Sequence, residues 1–528
     1  MDKINIIGLT QGSNIDILLK LIQNINNKKN NSLNLKGAYV SLARHFEKSK
    51  IIKDNKKKII FLKEWEIFQS SKKIKVENHK IIELSSRFGS NKLWQCIIGD
   101  RRLIYGKNCK SIQDYNTRFS DEFIYNLIYR FCETFSEFIN LTKPDIVLGF
   151  TPVTFGELIA QEILKQKNIP ILQLHSSRIS NYFAFHDNLL GTSDHIKRIM
   201  NDPKKISLSS FNKADEFIKK IKETGIIYEG VNIEKKKFKK DNIFKSLYKL
   251  PSVIKNEIVR YSNSTFRNDH HDNGHLLPWY YEDLVQRKRA IINDKFLKLS
   301  NRTYKINDLD KIKFAFYPLH SEPEVALQVL GFPYHKNQIE LIRSIAASLP
   351  LGMRLIVKEH PRSYGMRPKS FYKSLLEIPN LYFSEKEIKP IEIVKLAKLV
   401  FVISSTIGLE AAIVGKPLII LGYPKYLSIP NTMFKQSLNL FELGSDVEKI
   451  LNNYVFDYKN LKNYIAAQIE GGVDINLYSI LLKKPNRYSF LKVNEDIKIK
   501  EAEDYVKLAE YTISRINEEL KINNEKIN

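Results

Sequence analysis

The sequence predicts an α/β protein made of two doubly wound domains that face a cleft, with a helical connector between them and a helical C-terminus. Three observations carry this reading. Residues 145–150, 155–167 and 169–174 alternate strand, helix and strand, the crossover unit of a parallel sheet. A second alternation starts at Lys311 and continues to about Leu443. Between them, residues 201–310 are lysine-rich, polar and mostly helical in pattern, with few strand candidates. A chain of 528 residues also exceeds what one core holds.

Each element has a local cause. Residues 3–9 form an apolar first strand, 10–14 a turn, and 15–25 a helix with apolar residues at 3/4 spacing. A further strand is expected over 58–62. Ser120 followed by Asp121 and Glu122 opens a helix, because a capping hydroxyl and two acids suit its positive first turn. Phe123, Leu127, Phe131, Phe135 and Phe138 continue its buried face. In the second half, strands are expected over 313–319, 354–358, 399–403 and 417–421, with helices around 336–348 and from 390. The domains are therefore 1–200, 201–310 (connector), 311–443 and 444–528 (helical extension).

Composition excludes several classes. With 43% hydrophobic and 27% charged residues the chain is globular. Cys96, Cys109 and Cys132 are scattered, as buried thiols of a reducing compartment are. The N-terminus, with Asp2 ahead of a short apolar run, reads as a strand and not as a secretion signal. No apolar run approaches the ~20 residues that cross a bilayer, so a cytoplasmic protein is expected. The net charge of +26 peaks at Lys235 to Lys240. Such a run is a solvated face, an attraction to anionic lipid, or a nucleic-acid contact. No nucleic-acid motif accompanies it, and contact with an anionic membrane surface is preferred. Asp269, His270, His271, Asp272 and His275 read as a solvent loop rather than a metal centre, and no metal or cofactor is expected.

Two motifs carry chemistry. Strand 399–403 ends at Ser404, Ser405 and Thr406, and a short apolar helix follows, closed by Gly415-Lys416-Pro417. At such a strand end, helix N–H groups and three hydroxyls form a seat for phosphate; the plain alternative is Thr406 as helix cap. Strand 354–358 runs into Glu359-His360-Pro361-Arg362. Proline holds the residue before it extended, so His360 is directed out of the strand, and Arg362 suits a bidentate phosphate clamp. Both motifs end strands of one expected sheet and open onto one crevice.

A strand ending in His-Pro, a Ser-Ser loop leading to Gly408-Leu409-Glu410-Ala411, and Gly-Lys-Pro together resemble the bacterial capsule polysaccharide biosynthesis family. They are also similar to the CMP-sugar-using enzymes of the two-domain, Rossmann-like GT-B class, the Kdo transferases and bacterial sialyltransferases. Tyr317 to Glu324 looks like that family's strand-end motif, with Glu322 where an amide-type residue is usual. The resemblance covers roughly Phe314 to Tyr426. It implies a glycosyltransferase of surface-polysaccharide synthesis, using a nucleotide sugar and a glycan or glycolipid acceptor. His360 and Pro361 would contact CMP, with Ser404 and Ser405 on its phosphate. Glu410 would accept from a ribose hydroxyl or simply cap its helix.

Transfer also needs a base to deprotonate the acceptor. Glu157, early in the helix after strand 145–150, is the leading candidate, with helix capping as its alternative. His175 is second and Asp187 third; Arg178, His320 and Glu324 are candidates for the acceptor or sugar. Competing readings are a UDP-sugar transferase or epimerase, a CDP-glycerol-type transferase, a non-catalytic capsule-assembly protein and a nucleic-acid-binding protein.

Overall fold

Strand β1 (Ile4–Gln11) leads into helix α1 (Asn14–Asn27), then β2 (Leu33–Ser41) and β3 (Ile60–Lys63). The long helix α2 (Asp121–Thr142) begins where Ser120 accepts a hydrogen bond from the Phe123 N–H. After it come β4 (Ile146–Phe150), helix α3 (Phe155–Gln166), β5 (Ile171–Ser176) and β6 (Tyr182–His186). The computed structural model describes residues 3–27, 33–41, 50–89, 91–104, 119–226, 251, 254, 258, 286–322, 324–331, 337–483 and 497–527. The lysine peak at 235–240, the Asp269–His275 cluster and Cys109 lie outside these residues.

The connector supplies helices α4 (Leu208–Thr224) and α5 (Gln286–Leu299), and also a short strand β7 (Thr303–Tyr304). The second sheet adds β8 (Phe314–Pro318), β9 (Arg354–Lys358), β10 (Leu381–Ser384), β11 (Leu399–Val402), β12 (Leu418–Ile420) and β13 (Phe434–Gln436). Between them lie helix α6 (Gln338–Ala347) and helix α7 (Ile407–Val414), which follows β11. Helix α8 (Tyr458–Glu470) then returns the chain to the first sheet, where β14 (Val473–Asp474) pairs antiparallel with β6. Helix α9 (Ile497–Ile527) packs against α1. The extension is thus not helix alone, and its last strand and helix complete the first domain.

Each sheet has seven strands, ordered β14-β6-β5-β4-β1-β2-β3 and β13-β12-β11-β8-β9-β10-β7. The second is wholly parallel; the first is parallel from β3 to β5. In both, the order reverses beside the first strand of the unit, between β1 and β4 and between β8 and β11. Ligands of doubly wound sheets bind outside the carboxyl ends at these reversals. Two apolar clusters sandwich each sheet. One of them joins Ile179, Ile196 and Phe217 to Leu409, Leu418 and Tyr464, so the two halves share a core.

Candidate functional site

At the reversal of the second sheet, the carboxyl ends of β8, β9 and β11 meet. His320, just past β8, is 5% exposed, and its Nε2 accepts the Ser404 N–H at 3.3 Å. An imidazole that accepts at Nε2 is unprotonated there, and burial with nearby His360 and Arg367 pushes its pKa down to about 3. His360, Ser404, Ser405 and Thr406 are half-buried around it, and Pro361 is exposed. The two motifs therefore share one crevice, with His320 as the bridge between them. The side chain of Arg362 lies outside the described residues.

The Ser-Ser loop differs in detail from the sequence reading. Thr406 occupies the cap position in a helical conformation and makes no side-chain cap bond. Ser405 does that work instead, its Oγ accepting from the Ile407 N–H at 3.3 Å. Tyr426 fixes the loop from below by donating to the Ser405 carbonyl. Gly415 adopts a left-handed φ of 82°, which explains glycine at the end of α7.

Beneath the crevice lies a network that no motif announces. Arg367, fully buried, donates to the His320 carbonyl at 2.6 Å and to Glu359, and lies 3.7 Å from Glu322. Tyr372 donates to Glu359 at 2.6 Å, and Gln338 accepts the His320 N–H at 2.8 Å. Gln338 also donates to Glu322. Burial raises the pKa of the Glu322 carboxyl. Helix α5 pins the same loop from outside, with Gln286 donating to the Tyr364 carbonyl at 2.7 Å and Asn293 to that of Arg367 at 3.0 Å. Gly365, at φ 74°, lets that helix approach: a Cβ there would meet the Gln286 carbonyl at 2.0 Å.

Glu410 faces the connector. Its Oε1 accepts the Ile226 N–H at 2.8 Å, Oε2 is enclosed without a partner, and burial pushes its pKa up to about 7. A carboxyl whose folded pKa is raised contributes stability below its unfolded value and loses it as pH rises through the folded value. Glu410→Gln keeps the acceptor without the charge. It is expected to raise stability by on the order of 1–3 kcal/mol at pH 8, with no gain near pH 4, as read by thermal denaturation.

In the first domain, Gln11 at the end of β1 donates to the Thr151 carbonyl at 2.7 Å, and Thr151 Oγ1 lies 3.0 Å from His175 Nδ1. His175 is buried, its pKa is lowered well below the histidine range by burial and the Lys425, His186 and Arg178 charges, and its Nε2 has no partner. Glu157 is spent differently. It closes a capping box with Thr154, and its Oε2 accepts from the Val153 and Thr154 N–H groups at 2.9 and 3.1 Å. It is 1% exposed, and burial pushes its pKa up to about 7. Asp187 is likewise engaged, accepting from the Asp194 N–H at 3.1 Å. Arg178 turns the chain from β5 to β6 at a left-handed φ of 65° and is half-buried, as is Glu324. Lys425, absent from the sequence reading because no motif surrounds it, joins the domains by donating to the Leu189 carbonyl at 2.7 Å.

Residues 233–459 match the family model described as "Capsule polysaccharide biosynthesis protein". No curated protein sequence matches the chain. Among solved structures, the chain is similar to the KpsC beta Kdo 2,7 transferase of Thermosulfurimonas dismutans, at 12% identity and a TM-score of 0.33, over 71% of this chain and 89% of that one. The beta Kdo 2,4 transferase of the same organism gives 12% and 0.33, over 61% and 79%. The UDP-GlcNAc 2-epimerase of Methanocaldococcus jannaschii gives 14% and 0.25, over 88% and 98%. The segment similar to this family model holds the whole crevice from His320 to Lys425.

Proposed function

We propose that the protein is a glycosyltransferase that takes a Kdo-like sugar from a CMP-linked donor to a glycan or lipid-linked acceptor. The observation that supports this best is the meeting of His320, His360 and the Ser404–Thr406 loop at the reversal of the second sheet. Imidazole, hydroxyl and helix N–H donors suit the charge that develops on a leaving nucleotide. In this reading His360, Pro361, Arg362, Ser404, Ser405 and Thr406 hold the donor nucleotide, and His320 and Glu324 border the sugar; Glu410, buried against the Ile226 N–H of the connector, does not reach the ribose. His175, neutral and steadied through Nδ1 by Thr151, is the base that accepts the acceptor's proton. Glu157 takes second place, because its carboxylate already caps α3.

CMP is expected to raise the melting temperature, by the equivalent of about 2.7 kcal/mol at a hundredfold excess over Kd, with His360→Ala abolishing the shift. EDTA is expected to leave turnover unchanged. Stabilisation by UDP or CDP alone would move the donor to a UDP-sugar or CDP-glycerol class. CMP binding without donor hydrolysis or transfer would leave a non-catalytic capsule-assembly protein.

A basic, apolar face supports peripheral contact with the inner membrane surface. Lys288, Ile291, Ile292, Lys295, Lys298 and Leu299 are exposed along α5, with Ile291 at 70% and Leu299 at 73%. No helix among the described residues is long and apolar enough to cross a membrane. The protein is expected to float with vesicles of anionic lipid and not of neutral lipid. Replacing Ile291 and Ile292 with Ser is expected to weaken flotation, and equal flotation of both proteins would remove this face from the account.

A further inference from the structure

One face of β5 and β6 is polar where a covered sheet is ordinarily apolar. Gln173 and His175 share that face of β5, and His186 sits opposite Gln173 in the antiparallel pair. The His175 and His186 rings lie 5.0 Å apart. All three residues are at most 5% exposed, yet Gln173 Nε2, His175 Nε2 and both ring nitrogens of His186 have no hydrogen-bond partner. Enclosed, unpaired polar atoms are destabilising, so the donors of this cluster, the Gln173 amide and the His186 N–H, imply an acceptor that pairs with them.

Lys425 supplies the sign of that group. Its ammonium enters from the second domain, held by the Asn188 and Leu189 carbonyls at 3.3 and 2.7 Å. It is the leading charge acting on both imidazoles. Asp187, the carboxylate acting on Lys425, already accepts from the Asp194 N–H and the Asn188 amide. The next residue, Tyr426, binds the Ser405 carbonyl, so the cluster borders the donor loop.

We propose that Gln173, His186 and Lys425 form an oxyanion subsite beside His175, which holds the carboxylate or phosphate of a substrate against the base. Its part in turnover rests on the transferase reading; its affinity for an oxyanion does not. The ammonium and the amide and imidazole N–H groups donate to the anion, and His175 Nε2 stays free to accept a proton.

Calorimetry on the full chain, with CMP in excess to fill the donor phosphate seat, tests this with inorganic phosphate and with free Kdo as probes. At least one probe is expected to bind at one site per chain, at least tenfold more weakly in Lys425→Met and also more weakly in His186→Phe. CMP affinity is expected to be the same in all three proteins. Binding of Kdo but not phosphate assigns the subsite to a sugar carboxylate; the converse assigns it to an acceptor phosphate. Absence of binding by both probes, or binding that neither variant weakens, overturns the proposal. Either variant decides the point if the other fails to fold. Failure of the transferase reading has a different signature: CMP does not bind, while Lys425-dependent oxyanion binding persists.

Discussion

Arg367→Met is expected to lower the stability of the protein by about 3–5 kcal/mol, the largest effect of any single change to the crevice. The cause is not the loss of a favourable ion pair, since a buried pair is often no better than a well-packed apolar one. It is that two carboxylates stay behind. Glu359 and Glu322 are both buried, at 8% and 2% exposure, and Arg367 is the cation both face. Tyr372 and Gln338 satisfy some of their oxygens, but bring no charge. The same substitution frees the His320 carbonyl from its 2.6 Å bond, so CMP affinity should fall with stability. Arg343→Met supplies the contrast. That guanidinium also sits 2.8 Å from a glutamate, Glu340, but on an exposed helix face, where the pair is worth no more than about 1 kcal/mol. Urea denaturation of the two variants measures the difference, and a loss below about 1 kcal/mol for Arg367→Met would falsify the account of the network.

His175→Ala is expected to reduce turnover by about 10²–10⁴-fold while CMP binding is kept. The pH profile separates a base from a merely structural histidine. Burial and the Lys425 charge hold the folded pKa of His175 below the ordinary histidine value, so the imidazole is still neutral as pH falls through about 6.5. The acid limb of kcat/KM is therefore expected below that value. Lys425→Met removes one of the charges that lower the pKa, and should move the limb toward neutrality. Near-parental turnover in His175→Ala, with loss in Glu157→Gln, would transfer the role to Glu157.

Much of this plan was legible because apolar runs and strand-end punctuation are local. Strand β11 stops at three hydroxyls and β9 at His-Pro, and those positions open the crevice. Strand β2 was not legible, because Asn34 and Lys36 interrupt its apolar pattern at the end where its side chains are less enclosed. Nor were β7 and β14, short edge strands that exist through pairing with partners distant in sequence, or β6, the strand between β5 and β14. Glu157 shows the limit for sites. A glutamate three residues past Thr154 fits a helix cap and a cleft-facing base equally well, and only the three-dimensional hydrogen bonds distinguish them. Arg367, Gln338 and Tyr372 belong to no motif. Their importance comes from burial beside Glu322 and Glu359, which spacing along the chain does not reveal.

A crystal structure of the protein soaked with CMP tests the central claim most directly. The account predicts the nucleotide between His360 and the Ser404–Ser405 loop, with its phosphate at the start of α7 and His320 alongside. A CMP molecule bound away from that reversal of the second sheet, with His360 and Ser404 untouched, would contradict it.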